Sequence, residues 1–297
     1  MRPAVSVTIP TFNRRASLER AVASALGQTH RDLEVVVSDD GSTDGTEDLL
    51  REMASADSRL RAVRQPENRG MVANLDAALH LATGDHVMLL SDDDWLAPRC
   101  VEAALSALTE SPGSAAALGR VAYMRGNKEV AAGQPVALTA TEPARRVRDY
   151  FAAVGGDHGN TWLYGLASRQ LVQGLPRLRN VLGFDWLRVA EIALAGHIVM
   201  LDETLIYREL GGTSETTERN VRESGLPLSH AKMPHIVIAR EVLTDIGWRS
   251  PVYAPLGRAR RLALGLRCAA VLLARNAPHF LFHLAPSGVQ RCWHSRA

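Results

Sequence analysis

Short apolar runs alternate with amphipathic stretches through the first hundred residues, and this alternation limits the fold more than any other feature. Strand-like runs begin at about residues 5, 33, 60 and 86, a spacing of roughly 27 residues. A helical pattern follows each of the first three runs. Units of this kind join through right-handed crossovers and place helices on both faces of the sheet. The sequence therefore predicts an α/β fold with a mostly parallel sheet flanked by helices.

The same periodicities place individual elements along the chain. We predict strands at 5–9, 33–38, 60–64, 86–91, 115–123, 161–167 and 197–207. We predict helices at 18–26, 44–54, 71–82, 184–195, 229–246 and 256–275, with a further helix that starts near Pro98. Residues 211–225 have no clear period and read as a loop or a linker.

Polar clusters stand where three of the predicted strands end. They are PTFN at 10–13, DDGS at 39–42 and DDDW at 92–95. Ligands of such sheets bind beyond the carboxyl ends of the strands. Polar loops are common at strand ends, yet three clusters at one edge favour a binding site there.

The run Ser91-Asp92-Asp93-Asp94-Trp95 directly follows an apolar strand. Three adjacent carboxylates repel one another, and burial raises that cost unless a cation or a donor compensates. Mg²⁺ and Mn²⁺ prefer oxygen ligands and are commonly held by one or two carboxylates together with a substrate's phosphates. A solvated acidic turn that caps the next helix is the competing interpretation.

Phosphate-binding glycine loops are missing from the sequence. No GxxxxGK[ST] motif is present, and no GxGxxG motif follows the first strand. These absences argue against a P-loop NTPase and a Rossmann dehydrogenase. At the second turn, Asp39 or Asp40 could accept hydrogen bonds from a base or a ribose, or could only shape the turn.

Charge is balanced over the chain as a whole but not along it. The 297 residues carry a formal net charge of +2, which argues against a dedicated nucleic-acid binder. From residue 246 to 297, however, there are eight arginines and no acid. This basic segment predicts either a packed C-terminal helix with solvated arginines or a peripheral membrane contact through 256–284.

Cysteine usage and hydropathy indicate the compartment. Cys100, Cys268 and Cys292 are far apart and form no metal-binding spacing, so we expect a reducing cytoplasm. We expect no secretory signal in the first residues and no membrane-spanning helix, because no apolar run approaches about 18 residues.

Four motifs carry a resemblance to a known family. VSVTIPTFNR, EVVVSDDGSTDGT, ENRGMVANLDAAL and GDHVMLLSDDDWLAP resemble, in order and spacing, the nucleotide-binding half of family 2 glycosyltransferases. The resemblance is strong over residues 4–110 and fainter to about 214. It implies a GT-A catalytic domain at 1–214, with a nucleotide-sugar half at 1–110 and an acceptor half at 111–214, followed by a helical extension at 215–297.

The resemblance also implies roles for individual residues. Asp93 and Asp94 would hold a divalent metal, Mn²⁺ or Mg²⁺, and either one could be the direct ligand because Ser91 replaces the family's frequent first aspartate. The nucleotide-sugar would contact Pro10, Thr11, Asn13, Asp39, Asn68, Arg69 and Asp92.

Asp185 is the candidate catalytic base. Family members often carry Glu-Asp-Trp at the start of a helix, and this chain has Phe184-Asp185-Trp186. An acid in the first turn of a helix is also a routine stabilising residue, because the helix dipole favours negative charge there. The resemblance favours the catalytic role.

Candidates for the acceptor or phosphate side lie in the second half. Trp162 and Tyr164 could stack on an acceptor sugar or belong to the core, and Arg208 could contact phosphate. His158 and the run at 211–214 are weaker candidates for the same side.

The resulting functional prediction is an inverting, metal-dependent glycosyltransferase. It would move sugar from a nucleotide-diphosphate-sugar donor to an acceptor hydroxyl, with no nucleic-acid partner. A sugar nucleotidyltransferase and a non-catalytic nucleotide-sugar or glycan-binding relative are the alternatives. The predicted location is cytoplasmic, with a peripheral position on the inner face of the membrane as an option.

Overall fold

A computed structural model of the chain describes residues 3–133, 136–154, 161–211 and 217–275. Its strands are β1 (Val5–Thr11), β2 (Leu33–Asp39), β3 (Leu60–Arg64), β4 (His86–Leu89), β5 (Trp95–Leu96), β6 (Ser114–Arg125), β7 (Lys128–Ala132), β8 (Leu166–Ser168) and β9 (His197–Glu209). Its helices are α1 (Arg15–Leu26), α2 (Thr46–Ala56), α3 (Met71–Leu81), α4 (Cys100–Glu110), α5 (Pro143–Ala153), α6 (Arg169–Gly174), α7 (Phe184–Ala195), α8 (Thr217–Glu223), α9 (Ser229–Lys232), α10 (Pro234–Thr244) and α11 (Arg258–Arg275).

The strands form one sheet in the order β3-β2-β1-β4-β8-β6-β9-β5, with β7 paired to β6. The four strands β3, β2, β1 and β4 are mutually parallel. Beyond β4 the sheet is mixed, since β8 runs antiparallel to both β4 and β6, while β6 and β9 are parallel. The predicted α/β class is confirmed, and the parallel part coincides with the four regularly spaced units.

Apolar side chains explain why the first strands lie at the centre. Val35, Val36 and Val37 of β2 are fully buried, as expected for a strand covered on both faces. The helix α1 buries Leu18 and Val22 against the sheet at the spacing of one helix face. Helix α7 spans the residues that its apolar periodicity predicts, 184–195.

Three predictions differ in the structure. The loop or linker predicted at 211–225 contains helix α8 at Thr217–Glu223. The strand predicted at 161–167 is a 3₁₀ turn at Thr161–Tyr164 followed by the short strand β8. Alternating aromatics imitate a strand there, but the Gly165 N–H donates to the Trp162 carbonyl and closes the turn. The helix predicted at 229–246 is divided into α9 and α10, because the backbone leaves helical geometry at Met233 just before Pro234.

The C-terminal helices α10 and α11 pack against α5 and α7 within one hydrophobic cluster. Polar contacts hold the segment between α10 and α11 in place: the Ser250 hydroxyl donates to Glu191 of α7 at 2.8 Å, and Arg179, which precedes α7, donates to Asp245 at 2.6 Å. No helix in the described ranges is long and apolar enough to cross a membrane.

The buried contact of Glu191 predicts how stability changes with pH. Burial raises the pKa of this carboxyl from 4.5 to about 7, despite the nearby Arg188. The folded state therefore binds its proton more tightly than the unfolded state, so this stabilisation is full below about pH 4.5 and is lost as pH rises through 7. We expect Glu191→Gln to flatten the dependence of the unfolding free energy on pH between about 5 and 8, measured by urea denaturation. An unchanged slope in this variant would contradict the assignment.

Candidate active site

The carboxyl ends of β1, β2 and β4 meet at one edge of the sheet and bring together the three predicted polar clusters. Thr11 at the end of β1 lies opposite Asp39 at the end of β2. The Thr11 hydroxyl also donates to the Asp92 carboxylate at 2.8 Å, beyond the end of β4. Segments separated by up to eighty positions in sequence therefore form one continuous polar surface.

Asp39 is a buried carboxylate with one unsatisfied oxygen. The residue is 1% exposed, and its Oδ1 accepts from the Ser42 N–H at 3.0 Å. Its Oδ2 accepts no hydrogen bond from the described residues and lies 3.5 Å from the Arg64 Nε. A buried acceptor in this state is stabilised by a ligand that brings an N–H or O–H donor.

Asp40, the second acid of this turn, is structural. Its N–H donates to the Thr11 carbonyl, and its carboxylate accepts from the N–H groups of Arg69 and Gly70 at 3.0 and 2.9 Å. Asn68 supports the same bend by accepting from the Gly70 N–H at 2.8 Å. Asp40 therefore holds residues 68–70 against the site and leaves the side chain of Arg69 exposed beside it.

Asn13 also shapes the edge of the site. Its backbone has φ of +52°, and its side-chain oxygen accepts from the Thr43 N–H at 2.8 Å. Its own N–H donates to the Ser42 hydroxyl at 2.8 Å. These bonds fasten the turn after β1 to the turn after β2, while Pro10 lies half-buried in β1 opposite Ser38.

The three consecutive aspartates differ in their surroundings, and Asp94 is the most enclosed of them. Asp94 is 1% exposed; its carboxylate accepts from the Tyr164 hydroxyl at 2.6 Å and from the Glu209 N–H at 3.0 Å. The Arg208 Nε lies 3.8 Å away. Burial and the neighbouring Asp93 raise the pKa of Asp94 to about 7.

Asp92 and Asp93 lie nearer to solvent. Burial, followed by the charge of Asp93, raises the pKa of Asp92 to about 7. Asp93 is half-buried, and its carboxylate has no hydrogen-bond donor in the part of the chain that the structure describes. Its backbone carbonyl is held by the Arg20 guanidinium at 3.0 Å. The geometry thus presents the Asp93 carboxylate to a ligand.

Arg20 is a site residue that the sequence analysis did not identify. Its guanidinium lies 3.6 Å from the centre of the Trp95 ring and 3.2 Å from the Glu209 carboxylate. Trp95 in turn stacks on Tyr207 at 5.5 Å between ring centres. Arg20 is one of several polar positions on α1, so nothing in the sequence distinguishes it.

The arrangement of these acids fits a metal that depends on its substrate for further ligands. Within the described residues there is no group of three or more His, Cys, Asp or Glu side chains that would hold an ion alone. A carboxylate without a donor beside two carboxyls of raised pKa is a site where a cation would relieve repulsion. Asp93 fits this role, whereas Asp94 is occupied by protein donors.

The structure does not support the predicted acceptor role of two aromatic residues. Trp162 is 9% exposed, and its indole N–H donates to the Val136 carbonyl. Tyr164 is 5% exposed, with its hydroxyl bound between Ser91 and Asp94. Both rings lie in the core, where a sugar cannot stack on them.

Arg208 lies behind the acidic turn instead of at its surface. Its side chain is mostly buried, and the adjacent Tyr164 and Asp94 raise the pKa of its guanidinium. It supports the Asp94 carboxylate directly, so a phosphate contact stays a prediction. His158 and residues 212–214 lie outside the described residues.

Asp185 lies in the first turn of α7. The helix begins at Phe184, directly after Gly183, whose φ of +82° is in the left-handed region. Asp185 is half-buried. Helix α7 packs against the turn Thr161–Tyr164, whose last residue binds Asp94. The turn Thr161–Tyr164 thus lies between the helix that carries the candidate base and the acidic turn.

Removal of one hydroxyl tests the hydrogen bond between Tyr164 and Asp94. We expect Tyr164→Phe to destabilise the fold by about 1–3 kcal/mol, because it leaves a buried carboxylate oxygen of Asp94 without its donor. Thermal unfolding followed by circular dichroism measures the loss. Tyr207→Phe is the control, because that ring keeps its stack on Trp95 without a hydroxyl. Equal melting temperatures for both variants would refute the role of Tyr164.

Comparisons of sequence agree with this geometry. A model of the family described as "Glycosyl transferase family 2" matches residues 6–166. A GalNAc(5)-diNAcBac-PP-undecaprenol beta-1,3-glucosyltransferase of Campylobacter jejuni is 39% identical over 95 residues, which cover 32% of this chain and 31% of that protein. A chondroitin synthase of Escherichia coli is 41% identical over 103 residues, or 35% of this chain and 15% of its own length. The chain thus spans less than half of either relative.

Comparisons of structure extend the likeness to the second half of the fold. Residues 1–349 of S. aureus TarS superpose with a TM-score of 0.63 at 18% identity, covering 99% of this chain and 78% of that one. The mannosyltransferase PcManGT of Pyrobaculum calidifontis superposes with a TM-score of 0.55 at 20% identity, covering 94% and 76%. The fold is therefore of the GT-A type. The chain belongs to glycosyl transferase family 2.

Proposed function

We propose that this chain transfers a sugar from a nucleoside-diphosphate sugar to an acceptor hydroxyl, with inversion and with the help of a divalent metal. The observation that carries the proposal is the sheet edge where Asp39 and Asp93 both present carboxylate oxygens that accept nothing from the described residues. One such oxygen suits a base or ribose donor, and the other suits a cation on a diphosphate.

The nucleotide-sugar would bind along this edge. The Asp39 Oδ2 would accept from a base N–H, and Thr11 and Asp92 would line the pocket between β1 and β4. Asn13, Asn68 and Arg69 form the surrounding turns beside Pro10 of β1, and the exposed side chain of Arg69 would contact the diphosphate. Structural neighbours support the ligand class: TarS 1–349 has been solved with UDP and with UDP-GlcNAc.

Asp93 would hold the metal, and Asp94 would fix the turn that presents it. A neighbour solved with GDP-Man and Mn²⁺, PcManGT, supports a divalent ion in this fold. Such an ion, when bound, stabilises the negative charge that develops on the departing nucleoside diphosphate. Arg208 and Tyr164 keep the Asp94 carboxylate in place behind it.

Asp185 would take the proton from the acceptor hydroxyl. Inversion by in-line displacement requires a base on the acceptor side and no covalent intermediate. The first turn of α7 supplies one carboxylate, and α7 packs against the turn Thr161–Tyr164, which binds the acidic turn. The dipole of α7 favours the charged form of a first-turn carboxylate, which keeps it ready to accept a proton.

The residues of the site limit the chemical class of the acceptor less than that of the donor. The relative from Campylobacter jejuni is named for a saccharide carried on PP-undecaprenol, which supports a lipid-linked acceptor among the candidate classes. A cytoplasmic protein with peripheral contact through 256–284 would reach such an acceptor. Of that segment, residues 276–284 lie outside the described residues.

A panel of donors tests the proposal. Full-length protein is heated with UDP-, GDP- and dTDP-sugars in Mn²⁺ or in EDTA, because a ligand that binds only the folded state raises the melting temperature. We expect one nucleotide class to raise it by several degrees in Mn²⁺ and much less in EDTA. No shift with any donor would overturn the proposed site. Donor binding without transfer to any acceptor would favour a binding relative, and pyrophosphate release from a nucleoside triphosphate and a sugar phosphate would favour a nucleotidyltransferase.

A further inference from the structure

One face of α11 is apolar although it faces solvent. Leu262, Leu266 and Leu273 are 44%, 52% and 43% exposed, and they recur at the spacing of one helix face. Exposed alanines extend the same row, which we call the α11 stripe; they are Ala259, Ala263, Ala270 and Ala274. The opposite face packs inward through residues that include Leu264, Cys268 and Leu272. A helix packed on one side normally carries polar residues on the other, so within the described part of the chain the stripe is an unpartnered surface.

Arginines border the α11 stripe. Arg258, Arg260 and Arg267 are exposed and have no acidic partner among the described residues. Arg261 and Arg275 behave differently, since they donate to backbone carbonyls of the protein at 2.8 and 2.7 Å. Two arginines of α11 therefore bind the rest of the protein, and the other three form a positively charged border that faces solvent.

A tryptophan extends the same surface. Trp248 is 58% exposed in the turn Asp245–Arg249, which packs against α11. A Cβ placed on the adjacent Gly247 would lie 3.9 Å from the Cδ1 of Leu262, so the turn borders the α11 stripe. Tryptophan is favoured where an apolar phase meets water, because its ring is apolar and its N–H is polar.

We propose that the α11 stripe, Trp248 and the three bordering arginines form a docking face for an anionic lipid surface. The leucines would enter the boundary between headgroups and acyl chains while the arginines contact the headgroup phosphates. From residue 246 to the end of the chain there is no acid, so no nearby carboxylate in this segment repels the bilayer. A second copy fits less well, because two such faces would bring arginine against arginine. The peripheral contact proposed for residues 256–284 would then be made by one face of α11.

Vesicle co-sedimentation of the full chain tests the face. The vesicles are phosphatidylcholine alone, or phosphatidylcholine with about 30% phosphatidylglycerol, at low and high salt. We expect binding to the anionic vesicles only, and a large loss of it at about 0.5 M NaCl. Replacement of Arg258, Arg260 and Arg267 by serine should weaken binding about 100-fold, since each arginine near the surface contributes about fivefold. Replacement of the three stripe leucines by serine should weaken it about as much.

Matched variants control for general effects of surface charge and hydropathy. The apolar control changes Val130, Val136 and Leu228 to serine, which are 47%, 37% and 52% exposed. The basic control changes the exposed arginines Arg31, Arg99 and Arg125 to serine. Both controls should bind anionic vesicles as the wild type does. Melting temperatures and donor-induced shifts should be unchanged in every variant, so failure of this proposal is distinguishable from failure of the proposed enzyme function.

Several outcomes would overturn the docking face. One is the absence of wild-type binding to anionic vesicles. Another is a leucine-to-serine stripe variant that binds them as well as wild type does. A third is vesicle binding that survives the arginine and leucine replacements and is lost only when residues 276–297 are removed. The membrane contact would then lie in that segment. Conversion of a dimer to a monomer by the leucine variant, with vesicle binding intact, would make the stripe an interface between copies. Equal affinity for polyglutamate would indicate an acidic protein partner.

Discussion

Replacement of Asp185 by asparagine is expected to lower kcat by about 10²–10⁴-fold and to leave donor affinity within about twofold of wild type. Asparagine keeps the size of the side chain and its capacity to accept a hydrogen bond, but it cannot take a proton from the acceptor hydroxyl. The loss should therefore fall on the chemical step. Initial rates at saturating donor and acceptor measure it, and the donor-induced melting shift reports binding separately.

A matched variant separates this loss from a helix-dipole effect. Asp48 also lies in the first turn of a helix, α2, where it pairs with Arg51 at 2.7 Å. Asp48→Asn removes the same favourable charge at a helix N-terminus, worth about 0.3–1 kcal/mol, and should leave kcat unchanged. If kcat of Asp185→Asn equals kcat of Asp48→Asn, Asp185 is not the base. Another acid on the acceptor side would then have to take the proton.

The sequence predicts the first half of this fold well because local and global requirements agree there. Continuous apolar runs such as Val35–Val37 suit only a strand covered on both faces, and each following helix has one apolar face. The parallel order then brings Thr11, Asp39 and Asp92 to one edge without further information. The convergence of the predicted clusters is thus a consequence of topology.

The second half depends on contacts that the sequence does not display. Trp162 and Tyr164 alternate as strand residues would, but a long-range bond from the Tyr164 hydroxyl to Asp94 holds the second of them in a buried 3₁₀ turn. The position of Arg208 beside Asp94 is likewise a long-range contact that the sequence does not indicate. Pairings across tens of residues decide these roles, and local periodicity carries no signal for them.

The acidic turn gives the second large prediction, because its neighbouring aspartates should respond in opposite ways to alanine. Asp94→Ala removes the acceptor for Tyr164 and Glu209 and takes the carboxylate away from the mostly buried guanidinium of Arg208. Breaking a buried ion pair from one side costs about 3–5 kcal/mol. We expect the unfolding free energy to fall by about 3 kcal/mol and the melting temperature to fall by about 6–12 °C, in EDTA and in Mn²⁺ alike.

Asp93→Ala should instead preserve the stability of the fold and reduce the activity. Its carboxylate takes no hydrogen bond from the described residues, and its charge helps to raise the pKa of both Asp92 and Asp94. Its removal relieves repulsion, so stability in EDTA should be unchanged or slightly higher. Transfer should fall by at least about 100-fold, and the donor-induced melting shift should no longer depend on Mn²⁺.

The pair of variants distinguishes the two assignments of the metal ligand. If Asp94 held the ion directly, Asp94→Ala would lose the Mn²⁺-dependent shift while Asp93→Ala kept it. Burial argues otherwise, because the Asp94 carboxylate is 1% exposed and already accepts from Tyr164 and Glu209. The Asp93 carboxylate is half-buried and accepts nothing from the described residues. We therefore expect Asp93→Ala, and not Asp94→Ala, to remove the Mn²⁺-dependent shift.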